Sequence, residues 1–471
     1  MRTLRFAMAA AALSILAGCA VGPKYQRPEV TAPASFRNGN GNGPQTDDAS
    51  LADLKWFEVF KDGQLQELIR TALVKNHDLR LAVARVEGAR ATLGITRADQ
   101  APSVGMSSNL TSQRSAVSGA IPLPQGFQRT RTFGTVALNL LSFELDVWGR
   151  LRRATEAAKA ELLASEENRK AVVMTLVGEV AGAYFNVLGL DSELDIARRT
   201  LATRKESLKL IRRREQRGLA SLLEVRQAEQ LVHSAAQTIP DLERQIEQTE
   251  NQISLLLGQG PGPIPRGRPL TEQEQPPELP PGLPSALLAR RPDIAGAEQT
   301  LAGANANIGV ARATYFPQIS LTSFVGSQTN QLSNLFTGPS RVWQLVPQVS
   351  QPLFTGGRMR SNVELAKAQY KMALVEYDRV IQTAFREAAD ALVQHDKARE
   401  IRAEQEQLVE VLKDRSRLSY MRYRGGVDTL LSALDADRDL FTAELGLAEA
   451  RRNELLALVQ VYRSLGGGWQ Q

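Results

Sequence analysis

The chain has 471 residues, and its 57 Lys and Arg outnumber 51 Asp and Glu to leave a formal net charge of +6. No basic cluster is interleaved with aromatics, so nucleic-acid binding is not expected. One cysteine excludes a disulfide framework, His77, His233 and His395 lie too far apart for a metal-ligand pattern, and no phosphate-cradling loop, nucleophile elbow or zinc-protease motif occurs, so neither an enzyme nor a metal or other cofactor is expected.

Residues 1–18 read as a signal peptide. Arg2 and Arg5 precede an apolar run from Phe6 to Leu16, too short to cross a bilayer in the mature protein. The run ends in Leu16-Ala17-Gly18-Cys19, which has the form of a bacterial lipobox. The chain's single cysteine standing at the required position favours this over an ordinary signal peptide. Covalent lipid on Cys19 is therefore expected, and several acyl chains anchor stably where one does not. Ala20 follows it, as in lipoproteins exported to the outer membrane. Residues 19–61 read as a lipidated, extended segment, of which Val21 to Ser50 is too rich in Pro, Gly and Asn to build a core.

Proline is absent from residues 45–101, 125–239 and 355–471, where apolar and charged residues alternate at helical spacing. The stretches from Gly149 to Gly218 and from Gly357 to Gly425 each predict one near-continuous helix, roughly 100 Å long at 1.5 Å per residue. Helices of that length need a coiled coil, a solenoid or a barrel of helices. Pro240 is expected to kink the returning helix of the first half.

Strands are predicted at 103–113, 133–145, 318–328 and 342–354. In each, apolar residues such as Val104, Met106, Leu138, Leu140, Ile319, Val325, Trp343 and Leu345 alternate with small or polar ones, the pattern of outer-membrane strands. Four strands cannot close a membrane barrel, and an open sheet edge cannot face lipid, so several chains must share one barrel.

The landmarks occur twice. Arg217-Gly218-Leu219-Ala220-Ser221 returns about 207 residues later as Arg424-Gly425-Gly426, and Asn76-His77-Asp78-Leu79 returns about 215 residues later as Arg291-Pro292-Asp293-Ile294. The chain therefore divides into a first repeat at 62–257, a Pro/Gly-rich linker at 258–284 and a second repeat at 285–468. Each repeat holds a helical hairpin. Gly218, and Gly425 with Gly426, end the outgoing helices in αL geometry. Ser221 and Glu224 have capping-box spacing, and Asp428 takes the N-cap position in the second copy. Beyond that turn Leu430, Leu434, Phe441 and Leu445 form a packing stripe, and Leu431, Asp435, Arg438 and Thr442 form the next strip round.

These pieces resemble the TolC-like outer-membrane efflux factors, in particular the NodT-type lipoprotein branch. The matching motifs are Leu16-Ala17-Gly18-Cys19, Val21-Gly22-Pro23-Lys24-Tyr25, Arg291-Pro292-Asp293-Ile294, Pro317, Leu353-Phe354-Thr355-Gly356-Gly357-Arg358, Leu434-Asp435-Ala436 and Leu465-Gly466-Gly467-Gly468-Trp469. The resemblance implies an α+β membrane protein: a homotrimer with a shared 12-stranded barrel in the outer membrane, four strands per chain, continuous with a helical barrel in the periplasm. It implies a passive exit duct served by a periplasmic membrane-fusion adaptor and an inner-membrane RND or other transporter. It also implies a periplasmic gate at the hairpin tips, with Leu431 and Asp435 ringing the narrowest point and Glu224, Arg438 and Asp428 near it. Ser432 stands where some members carry a second acidic residue, and His77 where proline is usual. Asp435 has a plainer reading, a solvated carboxylate balanced by Arg438 at i+3. The alternatives for the whole chain are a duct for type I protein secretion or for metal efflux, or a structural coiled-coil lipoprotein without a lumen. Only seven methionines, unclustered in the mature part, give a copper duct no support.

Overall fold

Two helices of 67 residues and two of 35 dominate the molecule. The structure, a computed structural model, describes residues 20–33, 51–116, 129–274 and 284–470. The lipobox with Cys19 lies outside the described residues. In chain order the elements are α1 (Trp56–Val59), α2 (Gly63–Lys75), α3 (His77–Ala98), β1 (Ser103–Arg114), β2 (Thr130–Leu145), α4 (Arg150–Gln216), α5 (Leu222–Leu256), α6 (Pro284–Arg290), α7 (Pro292–Ala313), β3 (Gln318–Thr329), β4 (Arg341–Ser350), α8 (Arg358–Arg424) and α9 (Leu430–Ser464).

The duplication is visible element by element. α3 and α7 both have 22 residues and β1 and β3 both have 12, offset by 215 (77 to 292, 103 to 318). α4 matches α8 and α5 matches α9 in length, offset by 208 (150 to 358, 222 to 430). The change of offset falls between the strands and the long helices, where β2 has 16 residues and β4 has 10. Two strand boundaries differ from expectation by more than one residue. β2 begins at Thr130, because its ladder with β1 runs on to Arg114 opposite Thr130. β4 stops at Ser350, short of 354, because Pro352 has no amide to continue a ladder. α5 runs unbroken through Pro240.

The chain forms two compact units, and neither is a repeat. Among the described residues, the first takes the stretch up to Pro28 together with those of Val86–Ser165 and Ala297–Tyr377; the second takes those of Glu29–Arg85, Glu166–Gly296 and Asp378 onward.

The first unit holds an antiparallel sheet in the order β1-β2-β3-β4, so β1 and β4 are its edges. Cross-strand registers align Met106 with Leu138, Leu138 with Val325 and Val325 with Trp343. All four are exposed, and together they make an apolar row across the sheet. On the other face Asn139 Nδ2 donates to Ser107 Oγ at 2.8 Å. The extended residues after Cys19 are pinned in this unit. The Val21 amide donates to the Trp148 carbonyl at 2.9 Å, Arg153 Nε donates to the Val21 carbonyl at 3.3 Å, and Asn305 Nδ2 donates to the Pro23 carbonyl at 3.1 Å. Gly22 lies so close to Gly309 that a Cβ on it would stand 2.5 Å from the Gly309 Cα.

The second unit holds the main core. Val177, Val180, Tyr184 and Val187 of α4 pack among Leu65 and Ile69 of α2, Ile253 of α5, and Leu455 and Tyr462 of α9. Burying each such aliphatic side chain stabilises the fold by about 1.5–3 kcal/mol. A buried carboxylate ties the inter-repeat linker to this core. Asp62, N-cap of α2, accepts from the Gln64 and Leu65 amides (2.8 and 3.2 Å), the Arg268 amide (3.0 Å), Gln273 Nε2 (2.9 Å) and Tyr184 Oη (3.1 Å).

Candidate functional site

The two hairpin turns, both in the second unit, are built alike. α4 ends at Gln216, and Gly218 takes a φ of 73°, which lets its amide reach the Glu215 carbonyl and the Leu219 amide reach that of Arg214, both at 2.8 Å. Ser221 then caps α5: its Oγ accepts from the Glu224 amide at 3.3 Å, and Glu224 accepts from the Ser221 amide at 2.6 Å, closing the capping box. In the second hairpin α8 ends at Arg424, and Gly426 takes a φ of 75°, with its amide on the Tyr423 carbonyl and the Val427 amide on that of Arg422. Gly426 alone is left-handed there; Gly425 is not.

The N-cap of α9 is Thr429, not Asp428. Thr429 Oγ1 accepts from the Ser432 amide at 3.4 Å, and it is Thr429 that occupies the place of Ser221 at the 208-residue offset. Asp428 completes the turn from one position earlier. It accepts from Ser432 Oγ (2.9 Å), the Thr429 amide (2.8 Å) and Arg422 Nε (3.2 Å). These three donors, Ser432 first, hold its carboxyl below the ordinary aspartate range.

Of the residues singled out from the sequence, the fold brings Asp435 and Arg438 together and keeps Glu224 and Asp428 apart in their own hairpin turns. Leu431 is 49% exposed on the outer strip of α9. Arg438 lies 3.3 Å from Asp435 and 3.3 Å from Asp439, and Asp439 accepts from Arg415 Nη1 at 2.8 Å. Within one protomer Asp435 is thus a half-exposed carboxylate in an i, i+3 ion pair at the head of a short chain of alternating charges. Behind the strip, Leu208, Ile211, Val225, Ala228, Val232, Leu430 and Leu434 form an apolar cluster shared by both hairpins.

Next to that cluster is a buried ion pair that sequence reasoning missed. Arg204 of α4, only 4% exposed, donates Nε to Asp437 Oδ2 at 2.7 Å and Nη1 to the Leu231 carbonyl at 3.0 Å, and its guanidinium lies 4.8 Å from the centre of the Phe441 ring. Tyr420 of α8 stands close by. Burial first, and then the charge of Asp437, push its phenol up to about 12, while a hydrogen bond with Ser207 of α4 opposes them. The signal was present in the spacing: Asp437 is seven residues after Leu430 and four before Phe441, a core position that needs a buried partner if it carries charge.

A second unforeseen role belongs to the landmark pair Asn76 and Arg291. Asn76 Nδ2 donates to the Leu256 carbonyl at 3.0 Å, and Arg291 Nη1 to the Ser464 carbonyl at 3.1 Å, so each closes the C-terminus of its own repeat's returning helix. Arg291, 5% exposed, also makes a fork to Asp293 and a contact to Glu387 at 2.8 Å.

A profile of the outer membrane efflux protein family matches residues 68–259 and 283–467. Among curated proteins, the toluene efflux pump outer membrane protein TtgC of Pseudomonas putida is 37% identical over 464 residues, covering 97% of this chain and 94% of the relative. Outer membrane protein OprJ of Pseudomonas aeruginosa is 36% identical over 477 residues, covering 100% and 98%. Among solved structures, the open state of the Neisseria gonorrhoeae MtrE outer membrane channel superposes with a TM-score of 0.86 at 33% identity, covering 96% of this chain and 99% of that one.

Proposed function

Since the chain belongs to the outer membrane efflux protein family, and is in consequence an outer-membrane component of an efflux pump, we propose that it is the passive exit duct of a tripartite assembly, conducting small drugs or organic solvents outward. The observation that carries this reading is the four-stranded sheet, with its apolar row exposed and both edges, β1 and β4, unpaired among the described residues. An exposed edge is not tolerated in lipid, so the sheet requires neighbours. Three copies give 12 strands, enough to close a barrel with an aqueous interior. Acyl chains on Cys19 add an anchor at the N-terminus of the segment pinned beside Trp148. The partners are two more copies of the chain, a periplasmic adaptor and an inner-membrane transporter of the RND or another class, with outer-membrane lipid around the strands. Leu431, Asp435 and Arg438 line the periplasmic constriction in this reading, and three copies of Asp435 favour cations.

Native mass spectrometry and planar-bilayer recording test it together. The expected result is a detergent-stable trimer with cation-preferring conductance. Asp435→Ala should weaken that preference, and Leu431→Ala with Asp435→Ala should raise conductance without dissociating the trimer. A stable monomer, or a trimer that carries no current, would remove the duct. Acyl labelling lost in Cys19→Ser is the expected outcome for the anchor, and a labelled variant would end that assignment.

A further inference from the structure

The duplicated halves agree in element length, yet the buried pair Arg204–Asp437 has no mate. At the 208-residue offset Arg204 falls on Leu412, and Asp437 falls on Glu229, whose side chain is 17% exposed and pairs instead with Arg212 of α4 and Arg226 of its own helix. The position equivalent to Arg204 thus carries no cation, and the clasp belongs to one half alone. A buried ion pair is seldom more stabilising than apolar packing of the same volume; in some proteins what it contributes instead is the choice of one geometry among several. Arg204 is suited to that task because its planar fork reaches three groups at once: the Asp437 carboxylate, the Asp437 carbonyl at 3.4 Å and the Leu231 carbonyl.

The place of Asp437 on α9 gives the geometry its meaning. It is two residues after Asp435 and one before Arg438. At 3.6 residues per turn it points to a different side of the helix from either. Its side chain is 14% exposed, against 41% for Asp435 and 59% for Arg438. Whatever holds Asp437 therefore sets the rotation of α9 about its own axis. The rotation of α9 in turn sets where Leu431, Asp435 and Arg438 face.

We propose that Arg204 is a positioning residue of the gate: by clasping Asp437 and the Leu231 carbonyl it keys the second hairpin against the first and fixes the direction in which the Leu431–Asp435–Arg438 strip points. The proposal rests on the gate reading above. It separates two jobs that the sequence runs together on one helix. The strip meets what passes, and the buried key, on another side of the helix, holds the strip in register. The apolar cluster of Leu208, Ile211, Leu430 and Leu434 supplies adhesion between the hairpins but no angular preference of comparable sharpness, since apolar packing is non-directional.

The test uses the full-length trimer in planar bilayers. Arg204→Leu/Asp437→Leu removes the pair while filling the space; Arg204→Lys keeps the charge but cannot bond all three groups; Leu431→Ala/Asp435→Ala reports on the gate itself. Melting temperature, conductance and reversal potential are read for each. The expected result is that the double leucine variant melts at or above the wild-type temperature, while its conductance rises roughly twofold or more and its cation preference falls, because the acidic ring no longer faces the axis. Arg204→Lys should lie between it and wild type. Wild-type currents from the double leucine variant, beside altered currents from the gate variant, would overturn the proposal and leave the gate standing. Silence from both would remove the gate reading and the key with it. Should the double leucine variant melt early, Arg204→Lys decides: unchanged currents overturn the proposal and raised ones support it.

Discussion

Arg291 shows what one buried guanidinium holds. It satisfies the Ser464 carbonyl at the end of α9 and is held in turn by Asp293 and Glu387. Arg291→Ala removes the cation and leaves two carboxylates and a helix-end carbonyl without it. A loss of about 3–5 kcal/mol is expected from breaking a buried pair on one side. Asn76→Ala, which strands the Leu256 carbonyl and the Leu79 amide but no charge, should cost about 1–3 kcal/mol. Thermal unfolding of the two variants checks both the losses and their order. The Arg-Pro-Asp motif was legible in the sequence as a landmark, but its partners were not, because Glu387 and Ser464 lie 96 and 173 residues away. Asp62 makes a pH prediction at the same scale. Burial alone would raise its pKa. The bonds from Gln273 and the Arg268, Leu65 and Gln64 amides outweigh burial and set it below the ordinary value. A depressed carboxylate contributes stability that is complete at neutral pH and is lost as pH falls below about 4. The stability gap between wild type and Asp62→Asn should therefore be widest near neutrality and narrow through that range, as read from melting temperatures across pH 3–7.

At the scale of elements, the long helices and their stops were read closely, because Gly218 and the Gly425-Gly426 pair are strong local signals. The sequence did not distinguish Gly425 from Gly426, nor Thr429 from Asp428, since each pair offers the right chemistry at adjacent positions. The fold decides by geometry. Only Gly426 has positive φ, so Gly426→Ala should cost about 1–2 kcal/mol in the turn, while Gly425→Ala should be neutral or slightly stabilising. Hydrogen exchange at the Val427 amide, which closes on Arg422, should speed up in the first variant alone. The strands were placed within a few residues. Their misjudged ends are the ones set by cross-strand pairing and by Pro352, which periodicity does not register.

For the whole molecule, family, fold class and duplication were legible because they repeat along the chain. The compact units were not, because each is assembled from both halves. A fragment of residues 62–257 keeps β1 and β2 but loses β3, the partner of β2, and it loses the α9 side chains Leu455 and Tyr462 from the main core. Such a fragment should show no cooperative melting transition in calorimetry, whereas the full chain should.

The pairing of β2 with β3 also dictates an order of events. Leu145 stands opposite Ile319, and the 173 residues from 146 to 318, the whole first hairpin included, lie between them. Closing so long a loop is slow relative to helix formation, and its entropy is recovered only once the ends meet. The helices of the first hairpin should thus be structured before the centre of the sheet exists, so that barrel insertion is the last step of maturation. Pulse-labelled hydrogen exchange during refolding should protect α4 and α5 amides early and the Leu138–Val325 pair late; simultaneous protection would show that the membrane end of the chain does not wait for the periplasmic end.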